Sequence, residues 1–313
     1  MSPAFFHGRG WEAILAWYFV TVWGSGFIAT KIGLQYAPPF SFLTLRFLFG
    51  LACLVPILII MRPRFPGTRA EWGHVIVAGL LMHAVHLGGS HYTQYLGMSA
   101  GITALILSVQ PLITALIAVR WMGERLALRQ WAGVALGLAG VALVVWHKVD
   151  VREATIGSLM AVTVSLTGVT AGTLYQRVYC PLVDLRSATF VQFVAAVAVL
   201  APLAWLVEGY AVTWAWPMLG AIAFLVIGAS ILAVSALHLL MRRGQATRVT
   251  SLLYLTPIFA VVLELAMFGL MPSALSLAGI VVTCCGVGLV AWRARPGRAS
   301  AGEDIVKPRN GPG

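Results

Sequence analysis

Ten apolar stretches of about 20 residues set the limits on what this chain can become. They lie at roughly 11–33, 40–61, 72–95, 99–121, 129–147, 155–177, 187–207, 214–241, 245–268 and 273–293. A helix of that length crosses about 30 Å of hydrocarbon, whereas outward-facing barrel strands are shorter and alternate in polarity. Hydrophobic residues make up 60% of the sequence and charged residues 10%, where a soluble domain carries about 25% charged residues. A water-soluble globule is excluded. The formal charge of +11 then reflects loop orientation rather than nucleic-acid binding. The expectation is an all-α membrane protein with ten transmembrane helices.

The first span is too long for the apolar core of a signal peptide, and no small-x-small site follows it, so it reads as a retained helix. The loops are short. Residues 1–10 form a cytoplasmic N-terminus, and the Pro-, Gly- and charge-rich tail at 294–313 reads as disordered and cytoplasmic. No GxxxxGK[ST] phosphate loop occurs, which argues against primary active transport by this chain alone. With the N-terminus inside, sixteen Lys and Arg fall on cytoplasmic flanks and two, Lys148 and Arg152, fall outside. That bias predicts both termini in the cytoplasm. The four cysteines, Cys53, Cys180, Cys284 and Cys285, lie in or beside spans and read as free thiols.

Sliding the chain against itself by 146 residues reveals a repeat. Gly26 meets Gly172, Lys31 meets Arg177, Ser41 meets Ser187, Pro56 meets Pro202 and Pro111 meets Pro257; further on, Gly133 meets Gly279, Gly140 meets Gly286 and Trp146 meets Trp292. Four Gly–Gly matches occur, counting Gly123 with Gly269, against roughly one or two expected by chance. Each half, 11–147 and 155–293, holds five spans. Five is odd, so the second half enters the membrane from the opposite side. Such inverted-topology repeats place a site near the midplane and expose it alternately by rocking one bundle against the other.

The residues that carry the repeat also resemble a known family. Trp23-Gly24-Ser25-Gly26-Phe27, Lys31-Ile32-Gly33, Pro39 and Leu45-Arg46-Phe47 resemble the opening of the EamA-type drug/metabolite transporters. Ala104-Leu105-Ile106 leading to Gln110-Pro111-Leu112, then Gly123-Glu124-Arg125, continues the likeness. Ala171-Gly172-Thr173-Leu174-Tyr175-Gln176-Arg177 and Leu252-Leu253-Tyr254-Leu255-Thr256-Pro257 match in the second half. The resemblance covers roughly residues 11–293 and implies a five-plus-five secondary carrier of the inner membrane, commonly an exporter of amino acids, metabolites or drugs. It also implies a central cavity lined by spans 1, 3, 4, 6, 8 and 9, with spans 5 and 10 at the periphery. The family often follows the glycine ending span 9 with glutamate. Here Gly269 precedes Leu270 and the carboxylate stands earlier, at Glu264, so no role of that glutamate transfers to Leu270.

Charges inside spans are costly and mark functional hypotheses. Lys31, Arg46 and Glu264 are expected at similar depth in the outer third. Glu264 is placed to pair with Arg46 or Lys31 as an outer gate or a proton-sensitive latch. The bland alternative is a pair of snorkelling bases and a structural carboxylate. Pro111 and Pro257 are expected to bend spans 4 and 9 and free a carbonyl each, with Gln110, Tyr254 and Thr256 beside them as substrate contacts. A packed kink is the alternative. Span 3 carries His83, His86 and His91, then Tyr92, Gln94 and Tyr95. No Cys or carboxylate stands near in sequence, so no metal and no cofactor are expected. His86 and Tyr95 read as cavity residues, and Trp23, Tyr175 and Gln176 as an aromatic wall or as ordinary packing. The glycines of spans 5 and 10 read as small-residue packing stripes, within a monomer or between the subunits of a homodimer. Glu124, near water with basic neighbours, reads as a surface salt bridge.

The function these features favour is a secondary transporter, an exporter of a small-molecule substrate, driven by the substrate gradient or by protons. Few cavity charges point to a zwitterionic or weakly polar substrate rather than a polyanion. An intramembrane enzyme acting on lipid-linked substrates would need His83 or His86 within reach of Glu264. Those groups are expected at different depths, and neither HExxH nor GxSxG occurs. A channel is disfavoured because no ring of charges is visible.

Overall fold

The computed structural model describes residues 9–122, 126–150, 154–233, 236 and 255–291, and among them no strand occurs. The chain runs through α1 (Arg9–Gly33), α2 (Pro39–Met61), α3 (Arg69–Tyr95) and α4, which comes in two pieces, Ala100–Leu107 and Gln110–Met122. Then follow α5 (Leu128–Asp150), α6 (Ile156–Tyr179), α7 (Leu185–Glu208) and α8 (Trp216–Ala233). Last come α9 (Thr256–Phe268) and α10 (Ala274–Ala291). From α2 to α8, seven helices are long and apolar enough to cross a membrane, and α9 and α10 hold shorter apolar helices. α1 spans 25 residues, about 37 Å at 1.5 Å per residue. The expectation of ten full spans is thus met in part, because residues 234–235 and 237–241 of the eighth, 245–254 of the ninth, 292–293 of the tenth and the tail lie outside the described residues.

Local chemistry sets the helix starts. Thr68 and Glu71 form a reciprocal capping box ahead of α3, and Thr155 and Ser158 form one ahead of α6. Asp184 caps α7, which ends on Gly209 in the left-handed region. α3 and α8 both depart from α geometry. Leu80–Val85 and Phe224–Ala233 wind as π-helix, and a shift of 146 residues lays the first segment inside the second. Short π segments are rare and recur at functional sites.

Helix pairing obeys the same exchange of halves. α2 packs on α7, α4 on α9 and α5 on α10, each helix against its own counterpart. α3 packs on α6 as α8 packs on α1, and α1 on α9 as α6 on α4. The counterparts are antiparallel: Gly133 of α5 lies against Gly286 of α10, while Gly140 lies against Gly279. α2 and α7 are antiparallel too, since Ser41, in the first turn of α2, meets Glu208 at the end of α7. Buried clusters fill the seams, with Leu43, Phe47, Phe193, Ala196 and Leu200 between α2 and α7. Val109, Leu112, Val134, Val287 and Val290 join α4, α5 and α10.

Candidate functional site

The end of the bundle where α1 finishes is tied shut around Glu264. Gly97, at φ 96°, makes the tight turn after α3 that a side chain would strain. Ser99 then caps the first piece of α4 by accepting from the Ile102 N–H. That turn aims the Ala100 and Gly101 N–H groups at Glu264, which accepts them at 3.0 and 2.9 Å. A Cβ at Gly101 would collide with Val261, one turn from the carboxylate on α9. Lys31 completes the shell at 2.6 Å, with its ammonium also over the Phe268 ring at 4.6 Å. The Glu264 side chain is 5% exposed and that of Lys31 is 24% exposed. A buried carboxylate at a helix N-terminus with an ammonium beside it is stabilised by hydrogen bonds, helix dipole and charge together. Of the two bases open to Glu264 in the sequence, Lys31 takes it. Above the pair lies a cavity of about 320 Å³ lined in part by Met98, Ser99, Leu270, Met271 and Ser276.

Deeper in the bundle, the three histidines of α3 each reach a different helix. His83 Nε2 lies 3.2 Å from Gln192 Oε1 on α7. His86 Nδ1 lies 2.9 Å from Ser165 Oγ on α6, and that hydroxyl donates to the His86 carbonyl at 2.8 Å. His91 Nε2 stands 3.4 Å from Thr30 Oγ1 on α1. No metal-holding group of three His, Cys, Asp or Glu occurs among the described residues. Gln192 also donates to Gln176 Oε1 at 3.3 Å, so one side chain links α3, α6 and α7. Gln192→Leu is expected to orphan His83 and Gln176 and to cost about 1–2 kcal/mol. Thermal unfolding in detergent reads this out, and an unchanged midpoint would show that the linkage carries no stability.

The remaining sequence candidates are spread over the length of the bundle. Trp23 shares a face of α1 with Phe27 and Thr30, leans on Phe19 at 5.4 Å and is 42% exposed, which leaves room beside it. Tyr95 is 52% exposed and stands at the α1-finishing end in a ring array with Tyr92 and Phe40. Tyr175 lies toward the opposite end, 2.8 Å from His74 Nδ1 and packed on Tyr179. Gln110 donates to Thr114 in its own helix. Thr256 is buried, with its hydroxyl unpartnered among the described residues and its carbonyl against Gly24. Tyr254, Glu124 and the tail lie outside the described residues. Pro111 and Pro257 are each the second residue of a helical piece. They do not kink a continuous helix: in the first turn a proline forfeits no intrahelical bond. In α4 the helix is broken instead by the turn at Ser108 and Val109, where Ser108 donates to the Leu105 carbonyl.

Comparison with known proteins bears on the whole chain. The profile of the EamA-like transporter family matches residues 10–146 and again 155–292. This chain belongs to the EamA-like transporter family. Among its relatives, the uncharacterized transporter YvbV of Bacillus subtilis is 27% identical over 92% of this chain and 94% of its own. The uncharacterized inner membrane transporter YedA of Escherichia coli is 26% identical over 82% of each chain. A protein named "Probable amino-acid metabolite efflux pump" in Escherichia coli is 26% identical over 53% of each chain. A solved crystal structure superposes with a TM-score of 0.58 at 18% identity, covering 90% of this chain and 96% of the other, which speaks to fold alone. The protein is therefore a multi-pass membrane transporter of the EamA-like type.

In this EamA-like chain, Leu270 at the family's glutamate position lines the cavity beside Glu264. Sequence reasoning missed two residues that organise the transporter. Glu208, at the end of α7, accepts from the Phe40 and Ser41 N–H groups at 2.9 and 2.7 Å and from the Ser41 hydroxyl, capping α2 from the opposite half. Gln192 was silent because a lone glutamine in an apolar run announces no partner. The matched pair Ser41 and Ser187 held the only clue to the Glu208 contact; Ser187 caps across the other end by donating to the Arg64 carbonyl at 2.6 Å.

Proposed function

We propose that this protein is a secondary transporter that exports small metabolites, amino acids among them, by alternating access between two inverted five-helix halves. Ten helices cross the membrane in this reading, with both termini in the cytoplasm. The observation that carries it is the pairing of helices by exchange of halves, with an ion pair tying one end. Lys31 holds Glu264 where α1 finishes; the positions 146 residues away are Arg177 and Ala118. A bundle built twice has two nearly equivalent closures, and the Lys31–Glu264 pair latches one of them. The charge bias of the loops puts the Lys31–Glu264 end outside, so the described state is closed to the exterior. The π segments of α3 and α8 stand at equivalent points on the two cavity-facing helices, where a local register change lets one half tilt. The relative named as an amino-acid metabolite efflux pump supports amino acids as the substrate class.

Counterflow in proteoliposomes tests the reading. Vesicles loaded with one unlabelled amino acid of a panel are expected to accumulate its labelled form transiently, with and without a proton gradient. No counterflow for any amino acid or amphiphilic cation in the panel would remove the transporter mechanism proposed.

A further inference from the structure

Arg46 is the charge that the ion pair leaves over. It is the eighth residue of α2, about 10 Å along the helix from its start. Phe42, four residues before it, and Gly50, four after it, are buried members of the inward stripe, so Arg46 points between the halves rather than along lipid. Its guanidinium lies over the Phe47 ring at 5.9 Å, and that ring packs on His83 at 5.5 Å. His91, on the same helix as His83, lies against Phe42, one turn before Arg46, with ring centroids 5.9 Å apart. The one ion pair among the described residues is Lys31 with Glu264. Of the other carboxylates whose side chains are described, Glu71 and Asp184 cap their own helices and Glu208 caps α2. Beside this guanidinium, His83 Nδ1 and His91 Nδ1 are buried without a partner. A cation held in a membrane interior without a counterion is costly and calls for one, and orphaned buried polar atoms call for a ligand or water.

We infer that Arg46 is the anchor for a carboxylate carried by the transported molecule, bound in the middle of the bundle with the α3 imidazoles around it. The inference rests on the transporter reading and narrows it. A planar guanidinium presents two parallel N–H donors to a carboxylate, a geometry an ammonium does not reproduce. One fixed cation selects a monocarboxylate or a zwitterion. It repels amphiphilic cations, and it leaves a polyanion undercompensated.

The test uses full-length protein in detergent with four probes: phenylalanine, 3-phenylpropionate, phenylalanine methyl ester and phenethylamine. Binding is followed by calorimetry. The two carboxylates are expected to bind about tenfold or more tighter than the ester and the amine. Arg46→Gln is expected to erase that difference, and Arg46→Lys to restore part of it. Equal binding of acid and ester by the unmodified protein overturns the proposal, whether or not the variants fold, and so does the absence of carboxylate binding. Unchanged acid binding in a folded Arg46→Gln protein overturns it as well. Counterflow of tetraphenylphosphonium without any carboxylate selectivity would leave the transporter reading standing and remove the anchor. Carboxylate-selective binding with no counterflow would do the reverse.

Discussion

Glu264→Ala is expected to destabilise the protein by about 3 kcal/mol and to release the latch at the Lys31 end. The substitution strips three partners at once, because Lys31 loses its counterion and the Ala100 and Gly101 N–H groups lose their acceptor. Breaking a buried pair by removing one member costs about 3–5 kcal/mol. The low end applies because Lys31 is 24% exposed and can reach water. Glu264→Gln keeps the size but not the acceptors: Ala100 N–H and Gly101 N–H go to different oxygens, so its amide oxygen accepts one of them while the NH2 faces the other and the ion pair is gone. That variant is expected to unfold between the wild type and Glu264→Ala, to exchange substrate at an altered rate and to change the pH dependence of transport, as a proton-sensitive latch requires. Thermal unfolding and counterflow across a pH series measure both. A wild-type rate and pH profile in Glu264→Gln would leave Glu264 a structural residue.

What the sequence disclosed divides by physical scale. Hydropathy and spacing operate over whole helices, so the apolar stretches, the 146-residue repeat and the antiparallel sense of the halves were all legible before any coordinates. The glycines of α5 and α10 were legible for a related reason: no other residue type allows backbones that close, and they recur at one offset. Side-chain partners were not legible. Depth alone left Lys31 and Arg46 equal claimants for Glu264, and only the turn at Gly97 decides between them, by presenting two N–H groups where Lys31 also reaches. The π segment of α3, Leu80–Val85, contains no Gly or Pro, so helical periodicity overlooked the register change that sends His83 and His86 to different helices. Pro111 and Pro257 show the same limit. Their position marks an interruption, but whether a proline bends a helix or begins one depends on the residues before it, here Ser108 and Val109.

The strongest test of the repeat as a physical object compares two glycines two residues apart on α10. A Cβ on Gly286 would meet Gly137 N of α5, with Gly133 O and Gly137 Cα at 2.6 Å. These are backbone atoms that no rotamer change can clear. A Cβ on Gly288 would meet nothing within 4 Å. Gly286→Val is therefore expected to force α5 and α10 apart and to cost about 3 kcal/mol, the upper range for overpacking. Gly288→Ala is expected to be neutral or to gain up to about 1 kcal/mol of helix propensity. Exchange of halves adds a further constraint. Gly140, the counterpart of Gly286, faces Gly279 O and Thr283 N at 2.7 Å, so Gly140→Val is expected to cost nearly as much. Unfolding in detergent, followed by helical circular dichroism, ranks the three variants. Equal tolerance at Gly286 and Gly288 would mean that the two halves do not meet along this seam. A loss at Gly286 without one at Gly140 would mean that they meet there but not as a symmetric pair. Losses at both with none at Gly288 would show that the seam is a symmetric contact between the two halves.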